Sequence, residues 1–415
     1  MLCRRNQCLG VSWLDNNKTL GIVLEQHFIV FEGGVYTDVQ CDQSFWDRYL
    51  GVFDRVVVCA RMRGAREGDD AGRLLLSSRP EVQFVGMPDF VGVAGLLKNL
   101  SLVRGAVDEC IERSDAVVAR VPSPISLAIY SQLRASNKPW AAEMMMNPAT
   151  AYSKESMKHP LRPIIQEYAV ERTRRMCMNA NGVAYVTERV LQADYPCRAM
   201  KEIDDPSFFT ASYSTINLDS GCFVKKNLPS DSPSQVCLAH TGKMSDDRKG
   251  HEEFLITIAK LRNAGIDAHG ILIGDGPQRG HFQELANSLG VADCCEFAGW
   301  ISGFSEVQRC LHQAEFFVAP TKSEGLPRSV IEAMASGLIC IGHAVDGIPE
   351  LLEEDCLSHT NDPSDYARMI AGFLGDWSRA LRTRDGQFEK AQEYRSDVLN
   401  VRRAEFYSKL RHCSS

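Results

Sequence analysis

Two glutamates, Glu324 and Glu332, flank the start of a predicted helix in the second half of the chain. Pro327 suits the first helical position, because its missing N–H group has no intrahelical partner to lose there. The free amides and the dipole of the first turn form an anion site, which predicts a phosphate ligand that Gly325 lets the backbone approach closely. Carboxylates repel phosphate, so the two glutamates should instead bind neutral hydroxyls on either side, one from a sugar ring and one from a ribose.

The length and charge of the chain limit the class of protein. At 415 residues it is longer than one hydrophobic core usually supports, which predicts two domains of roughly 200 residues each. The net charge of −7 is uneven, with +2 on residues 1–200 and −9 on residues 201–415. An acidic second half argues against nucleic acid as a partner.

The cysteines and the N-terminus predict a cytoplasmic protein. The 15 cysteines include no Cys-x-x-Cys pair, and many lie in apolar runs, as buried reduced thiols do. Cys294-Cys295 lacks zinc-ligand spacing, so no metal site is predicted. The sequence after Arg4 and Arg5 does not resemble a signal peptide, and no apolar run reaches the roughly 18 residues of a membrane span.

Short apolar runs alternate with helical patterns in both halves of the chain. Such runs suit strands buried on both faces, and the stretches between them suit crossover helices, which together predict parallel, doubly wound sheets. The strand runs of the first half are Phe28–Phe31, Arg55–Ala60, Val82–Gly86, Ala116–Val121, Trp140–Met144 and Gly182–Thr187. Those of the second half are Gln235–His240, Gly270–Gly274, Cys295–Ala298, Glu315–Ala319 and Leu338–Ile341.

Two open α/β domains in tandem predict a cleft between them, because ligands bind beyond the carboxyl ends of the strands. A stretch rich in Ser, Asn, Asp and Pro separates the halves, and Asp385–His412 reads as one long polar helix. The predicted divisions are an N-terminal extension (1–20), a first domain (21–206), a connection (207–234), a second domain (235–384) and a C-terminal helix returning to the first domain (385–415).

The glutamate pair also carries a family resemblance. Glu324-x7-Glu332, followed by Ala333-Met334-Ala335-Ser336-Gly337, resembles the Glu-x7-Glu signature of retaining glycosyltransferase family 4, within the glycosyl transferases group 1. That family has the GT-B architecture, in which two Rossmann-like domains face each other across a cleft. Between about residues 235 and 375, further segments resemble its motifs in the same order: His240–Lys243 with Lys249-Gly250, Ile273–Pro277, Phe297–Ile301 and Asp346–Glu350.

The resemblance implies a role for each charged residue of the second domain. Glu324 would bind hydroxyls of a donor sugar, Glu332 the ribose diol, and Lys243 and Lys249 a diphosphate. Two fixed cations and a helix start would stabilise the charge left on a nucleoside diphosphate, so neither a metal nor another cofactor is implied. The family usually has Arg where Lys243 stands, and Lys cannot make the bidentate phosphate contact that Arg328 could supply.

Several second-domain residues have a structural alternative. By the same resemblance, Trp300 and Ile301 would line the pocket for the base, yet Trp300 could equally belong to the core. Arg248 is charged like its neighbour Lys249, so either could face the ligand. The turn at Gly274–Gly276 could serve packing alone.

The first domain offers fewer candidates. Gly33-Gly34 follows the first strand, where the resembling family has a loop facing the donor phosphates, but a tight turn is the alternative. Asn147 ends the fifth strand run near the expected reacting sugar, although the family's usual His or Asp is absent there. Arg120 ends the fourth run and could face the cleft or pair with a carboxylate.

The segment 157–178 combines basic and apolar residues. A basic amphipathic helix fits an anionic membrane surface, which would place the protein at the inner face of the cell membrane and favour a lipid-linked acceptor. An ordinary surface helix is the alternative.

The leading hypothesis is a retaining, metal-independent glycosyltransferase. It would move a hexose-type sugar from a UDP- or GDP-sugar to a hydroxyl of a sugar, lipid-linked or glycan acceptor, in bacterial surface polysaccharide or glycolipid assembly. The alternatives are a sugar-nucleotide epimerase on the same fold and a non-catalytic GT-B partner subunit. The predicted catalytic residues are Lys243, Lys249 and Glu324, and the predicted substrate-binding residues are Gly33, Gly34, Asn147, Gly242, Trp300, Ile301, Gly325, Leu326, Arg328 and Glu332.

Overall fold

The computed structural model describes residues 17–38, 40–66, 69, 74–154, 156–202 and 204–414, which form two α/β domains. The first domain is built on a nine-stranded sheet and the second on a six-stranded sheet. The strands within each sheet are mainly parallel and are linked by helices. The predicted fold class, two doubly wound Rossmann-like domains, is therefore confirmed.

The first sheet joins a parallel core to an antiparallel extension. The parallel strands lie in the order β5-β3-β1-β6-β7-β8-β9, and β2 and β4 extend the far end of β1. Its strands are β1 (Thr19–Phe31), β2 (Gly34–Thr37), β3 (Arg55–Gly64), β4 (Leu75–Leu76), β5 (Val82–Met87), β6 (Ala116–Val121), β7 (Trp140–Met144), β8 (Gly182–Tyr185) and β9 (Phe209–Ser212). Its helices are α1 (Asp47–Leu50), α2 (Gly92–Lys98), α3 (Leu100–Glu112), α4 (Pro124–Ala135), α5 (Pro148–Ala151), α6 (Arg162–Asn179) and α7 (Val190–Asp194).

The second sheet is entirely parallel, in the order β12-β11-β10-β13-β14-β15. Its strands are β10 (Gln235–Thr241), β11 (Asp267–Ile273), β12 (Cys295–Gly299), β13 (Phe316–Ala319), β14 (Ile339–His343) and β15 (Leu357–Ser358). The later helices are α8 (His251–Asn263), α9 (Arg279–Ser288), α10 (Phe304–Leu311), α11 (Arg328–Ala335), α12 (Pro363–Gly375), α13 (Trp377–Ala391) and α14 (Ser396–Cys413). The strand order reverses direction between β10 and β13, so the carboxyl ends of these two strands are where a ligand is expected.

Two predicted segments differ from the structure. The expected connection 207–234 includes β9, which pairs with β8 and completes the first sheet. The expected single helix Asp385–His412 is broken by a 3-10 turn at Gln392–Tyr394. The break lets α13 pack on the second domain, against α11 and β14, while α14 packs on the first, against β9 and α1. The helix read as polar buries Leu399, Phe406, Tyr407 and Leu410.

A buried charge cluster ties α14 to the first sheet. Glu143 of β7 pairs with Arg120 of β6 at 3.0 Å and accepts a hydrogen bond from Tyr407 of α14. Burial alone would raise the pKa of Glu143, but the Arg120 guanidinium holds it below its usual value. Arg120 therefore has the structural role left open by the sequence, and no further cleft role is assigned to it.

We expect Glu143→Ala to lower the free energy of unfolding by about 3–5 kcal/mol, because it leaves the Arg120 guanidinium buried without its partner. Urea unfolding followed by circular dichroism measures this loss. The matched control is Glu171→Ala, which removes an exposed pair with Arg175 on α6 and should cost less than about 1 kcal/mol. Equal losses in the two variants would contradict the role of the cluster.

Candidate functional site

The loop between β13 and α11 lies at the carboxyl end of the second sheet. β13 ends at Ala319 and α11 begins at Arg328, so Pro327 is the residue before the helix and not its first residue as predicted. The amides of the first turn have no carbonyl partner within the helix and are available to an anion. The free amides on which the predicted anion site depends are therefore present, but the helix begins one residue later than predicted.

Lys249 forms an ion pair with Glu324, so two predicted catalytic residues lie against each other. Its neighbour Arg248 instead binds both carboxylate oxygens of Asp246, each at 3.0 Å. Of the two neighbouring cations, Lys249 is therefore the one that faces Glu324. The pairing offsets the repulsion that the Glu324 carboxylate would exert on a phosphate at the start of α11.

A glycine makes this approach possible. The 3-10 turn Asp247–Lys249 ends at Gly250, which has φ +82°. A Cβ atom at Gly250 would lie only 2.1 Å from the carbonyl oxygen of Pro320, so a larger residue would push this loop away from the loop that carries Glu324. Gly242 packs against the Lys249 side chain and donates its amide to the carbonyl of Ile273 at 3.0 Å.

Glu332 lies inside α11 and is partly buried. Burial raises the pKa of its carboxyl to about 7, and Arg328 acts in the opposite direction. Among the residues that the structure describes, none donates a hydrogen bond to this carboxyl group. Because a carboxylate removed from water without donors is costly, ligand hydroxyls in this place would stabilise it.

The other second-domain candidates are Lys243, Trp300, Ile301 and Leu326. Lys243 is exposed, and within the described ranges its ammonium group has no ion-pair partner. Trp300 follows β12 and is 41% exposed, so it does not belong to the core. Ile301 is half-buried and Leu326 is buried. Their contacts with a ligand stay predictions.

Gly325 brings the two domains together. A Cβ atom at this position would lie 2.0 Å from the carbonyl oxygen of Met145, the residue that follows β7 in the first domain. The sequence suggested that Gly325 lets the backbone approach a ligand. The structure shows a close approach to the first domain, because the loop before α11 lies directly against the end of β7. The approach to a ligand stays a prediction.

Asp346 was missed by the sequence prediction as a site residue. Its side chain accepts a hydrogen bond from the Glu324 amide at 3.0 Å and one from the Thr150 hydroxyl at 2.9 Å, so it joins the second domain to the first. Its φ of +47° lies in the left-handed region, which a non-glycine residue adopts at a cost. Burial raises the pKa of its carboxyl to about 6. The sequence did offer one signal for Asp346: it stands where the family's Gly-Gly-x-x-Glu segment has its first glycine.

Glu350 is a second missed residue that connects the domains. Its carboxylate accepts three backbone N–H groups of the first domain, from Glu188 at 2.6 Å, Arg189 at 2.9 Å and Val190 at 2.7 Å. These amides lie at the start of α7, where they have no intrahelical partner. The sequence pattern included Glu350 but could not reveal a partner about 160 residues away.

The first-domain candidates have structural roles. Gly33 has φ +78° in the tight turn between β1 and β2, and the atoms nearest to a Cβ at Gly34 belong to Tyr36 and Leu76. Glu32 and Gly33 thus form the hairpin turn, and Gly34 pairs with Phe31 as the first residue of β2. A phosphate contact of the glycine pair stays a prediction. Asn147 caps α5, and its Oδ1 accepts bonds from the Ala149 amide and the Tyr195 hydroxyl, both at 2.9 Å.

Arg328 reaches across to the first domain. With the Gln40 amide oriented so that its oxygen faces the guanidinium, that oxygen accepts bonds of 2.6 Å and 3.0 Å from Arg328. The side chain expected to contact phosphate is thus placed at the domain interface in this structure. Its exposure leaves it able to turn toward a ligand.

Comparison with known proteins identifies the class of the fold. Residues 235–376 match the family model described as glycosyl transferases group 1. The chain is 24% identical over 336 residues to Protein CapJ of Staphylococcus aureus, covering 81% of each chain. It is 27% identical over 123 residues to a GDP-mannose-dependent alpha-(1-6)-phosphatidylinositol dimannoside mannosyltransferase of Mycobacterium tuberculosis, covering 30% of this chain and 31% of the relative.

Solved structures resemble nearly the whole chain. Sucrose-phosphate synthase from Thermosynechococcus elongatus superposes with a TM-score of 0.69 at 18% identity, covering 95% of this chain and 99% of that one. Anabaena Alr3699/HepE in complex with UDP and glucose gives a TM-score of 0.65 at 16% identity, covering 94% and 99%. The protein therefore has the GT-B fold of glycosyltransferases. Its second domain matches the glycosyl transferases group 1 model, which supports glycosyl transfer as the class of reaction.

The described residues contain neither a metal-holding cluster nor a membrane-spanning helix. No group of three or more His, Cys, Asp or Glu side chains in the described ranges is placed to hold a metal ion. None of the helices in those ranges is both long and apolar enough to cross a membrane.

We expect Glu350→Gln to speed hydrogen exchange at the amides of Glu188, Arg189 and Val190 about tenfold or more, because a hydrogen bond to a charged acceptor contributes about 1.5–3 kcal/mol. Exchange measured by mass spectrometry on the peptide containing these amides tests this. The matched control is Glu353→Gln, which changes an exposed carboxylate on the same segment and should leave the exchange unchanged. Equal exchange in both variants would show that Glu350 does not hold the domains together.

Proposed function

We propose that this chain is a retaining glycosyltransferase of family 4 that moves a hexose-type sugar from a nucleotide-diphosphate sugar to an acceptor hydroxyl. The observation that carries the proposal is the arrangement around α11. Lys249 and Glu324 lie together near its start, and the partly buried Glu332 carboxyl group, one turn inside, has no hydrogen-bond donor among the described residues. The Lys249 ammonium group suits a diphosphate, and the Glu324 carboxylate beside it suits a sugar hydroxyl. The Glu332 carboxyl group suits a ribose hydroxyl.

The chemistry assigned to these residues is stabilisation of the leaving group. The bond between the anomeric carbon and the diphosphate oxygen breaks, and a bond from that carbon to the acceptor oxygen forms. Lys249, Lys243 and the first-turn amides of α11 oppose the negative charge that develops on the diphosphate. These groups perform the charge neutralisation in the proposal, which therefore needs neither a metal ion nor another cofactor.

The retaining outcome is proposed through a front-face transfer. In that reaction the acceptor attacks from the side of the departing diphosphate, and the acceptor proton passes to the phosphate oxygen that leaves. A double displacement would instead need a carboxylate nucleophile beneath the anomeric carbon. Glu324 is paired with Lys249, Asp346 is bonded to the Glu324 amide and Thr150, and Glu332 is assigned to the ribose, which favours the front-face route.

The donor is proposed to be a UDP- or GDP-sugar. Support comes from the HepE complex with UDP and glucose, and from the GDP-mannose dependence of the mycobacterial relative. The acceptor is proposed to be a sugar, glycan or lipid-linked molecule in bacterial surface polysaccharide or glycolipid assembly. We place the reaction in the cytoplasm at the inner face of the cell membrane, with contact through residues 157–178, where Ile164 and Tyr168 are exposed beside arginines.

Two alternatives share the fold. A sugar-nucleotide epimerase would convert the nucleotide sugar without an acceptor, whereas a transferase needs one for net transfer. A non-catalytic partner subunit would bind the nucleotide poorly. The Lys249–Glu324 pair and the Glu332 carboxyl group favour the transferase over the non-catalytic subunit, because a subunit that binds no nucleotide has no need for either.

A thermal-shift panel of UDP-, GDP-, ADP- and TDP-sugars tests the proposal. A ligand bound only by the folded state stabilises it by about 2.7 kcal/mol at a concentration of 100 Kd, so we expect Tm to rise with one base and to stay flat with the others. Free monosaccharides serve as controls. A flat panel would contradict the proposed function.

We expect Lys249→Ala and Glu324→Ala each to lower turnover of the donor found in that panel by more than tenfold, because each removes a group assigned to the leaving group or to the sugar. Release of the nucleoside diphosphate measures turnover, and the Tm of each variant checks folding. The matched control is Arg248→Ala, next in sequence to Lys249 but bonded to Asp246. The turnover of Arg248→Ala should stay within about twofold of wild type. Wild-type turnover in both Lys249→Ala and Glu324→Ala would contradict the assignment of the site.

A further inference from the structure

A groove of 380 Å³ lies on the first domain, away from the residues assigned to the donor. Its walls are mainly apolar and come from four helices. They are lined by Leu96 and Leu97 of α2, Leu100 and Arg104 of α3, Leu127 and Ala128 of α4, and Ile164 and Ile165 of α6. Tyr168 and Arg172 continue the α6 wall. A mainly apolar groove shared by four helices suits a ligand with a hydrocarbon part.

Aliphatic side chains around this groove are unusually exposed. Leu97 is 65% exposed and Ile164 is 67% exposed, on opposite walls. Val91 and Leu161, which directly precede α2 and α6, are also exposed. Scattered apolar residues are common on protein surfaces, whereas a contiguous set next to a groove marks a binding site.

Two cations, Arg104 and Arg172, lie in the lining of the groove, and the described lining holds no carboxylate. Residues 91–104 contain Lys98 and Arg104 but no Asp or Glu. On α6, Arg172 stands 4.5 Å over the Tyr130 ring, and the acidic Glu171 is already paired with Arg175. Apolar walls bordered by cations complement a molecule that carries both a hydrocarbon chain and an anionic group.

The groove lies close to the domain interface. Tyr152 contributes to its lining and directly follows α5. Two residues earlier, the Thr150 hydroxyl bonds Asp346, whose carboxylate also accepts the Glu324 amide. The short helix α5 therefore connects the lining of the groove to the domain contact at Asp346.

We propose that this groove holds the hydrocarbon chain of an anionic, lipid-linked acceptor, with its phosphate beside Arg104 and Arg172. The proposal rests on the proposed function, because it names the class of acceptor for that same transfer. Helix α6, which begins at Arg162 within residues 157–178, lines this groove together with α2, α3 and α4. Contact of the same segment with a membrane surface stays a separate prediction.

Alkyl phosphates with chains of 8, 10 and 12 carbons, kept below their micelle concentrations, are the probes for this site. Binding is measured by isothermal titration calorimetry on the full chain. Because burying one methylene is worth about 0.8 kcal/mol, we expect Kd to fall about fourfold for each added methylene until the groove is full. Independence from chain length would overturn the proposal.

Two variants locate the binding. Leu97→Asp changes an exposed wall residue and should raise the Kd of dodecyl phosphate more than tenfold, and Ala128→Phe should do the same by filling the floor. The matched control is Val401→Asp, on α14, where the side chain is 59% exposed and outside the groove. If the control weakens binding as much as Leu97→Asp does, the site is elsewhere.

Two further measurements separate this proposal from others. The nucleotide-sugar thermal shift of Leu97→Asp should equal that of wild type, so failure of the groove and failure of the donor site are distinguishable. Flotation with phosphatidylglycerol vesicles tests the rival occupant, a bilayer surface. Binding to vesicles without binding to monomeric alkyl phosphates would overturn the proposal in favour of that surface.

Discussion

A single carboxylate of the second domain, Glu350, accepts three amides of the first, and the candidate site depends on that contact. The start of α7 needs acceptors, and Glu350 supplies them from the other side of the cleft. The same approach places the Gly325 backbone against Met145 and Asp346 against Thr150. Because Asp346 also accepts the Glu324 amide, the domain contact and the position of the candidate catalytic loop form one connected structure.

The electrostatics of the site follow from how its carboxylates are engaged. Glu324 is balanced by Lys249, whereas burial dominates at Glu332 and raises its pKa to about 7 against the opposing effect of Arg328. Asp346, buried between the domains, has a pKa raised to about 6. Burial disfavours the charged form of both groups, so less negative charge opposes a diphosphate here than the sequence implies. A helix start flanked by acidic residues can therefore still receive an anion.

The sequence predicts the architecture well because apolar runs buried on both faces have few other uses. It also predicts the loop before α11, where strand, proline and helix are contiguous. It fails where the partner is distant, as with Glu350 and Tyr407, since spacing carries no information about contacts across domains. At Gly33-Gly34 it leaves two alternatives open, because glycine allows a hairpin turn and a phosphate loop equally. Residues 1–16, most of the predicted extension, lie outside the described ranges.

The charged and the exposed apolar side chains of the first domain lie in different places. The first domain uses Arg120 and Glu143 inside its core, to hold α14, and Asn147 to cap α5. Each of these groups therefore already has partners within its own domain. Near α5 and the domain contact, the surface of the domain carries aliphatic side chains beside Arg104 and Arg172. Burial of apolar surface and pairing with an anion are accordingly the interactions that these side chains offer to a ligand there.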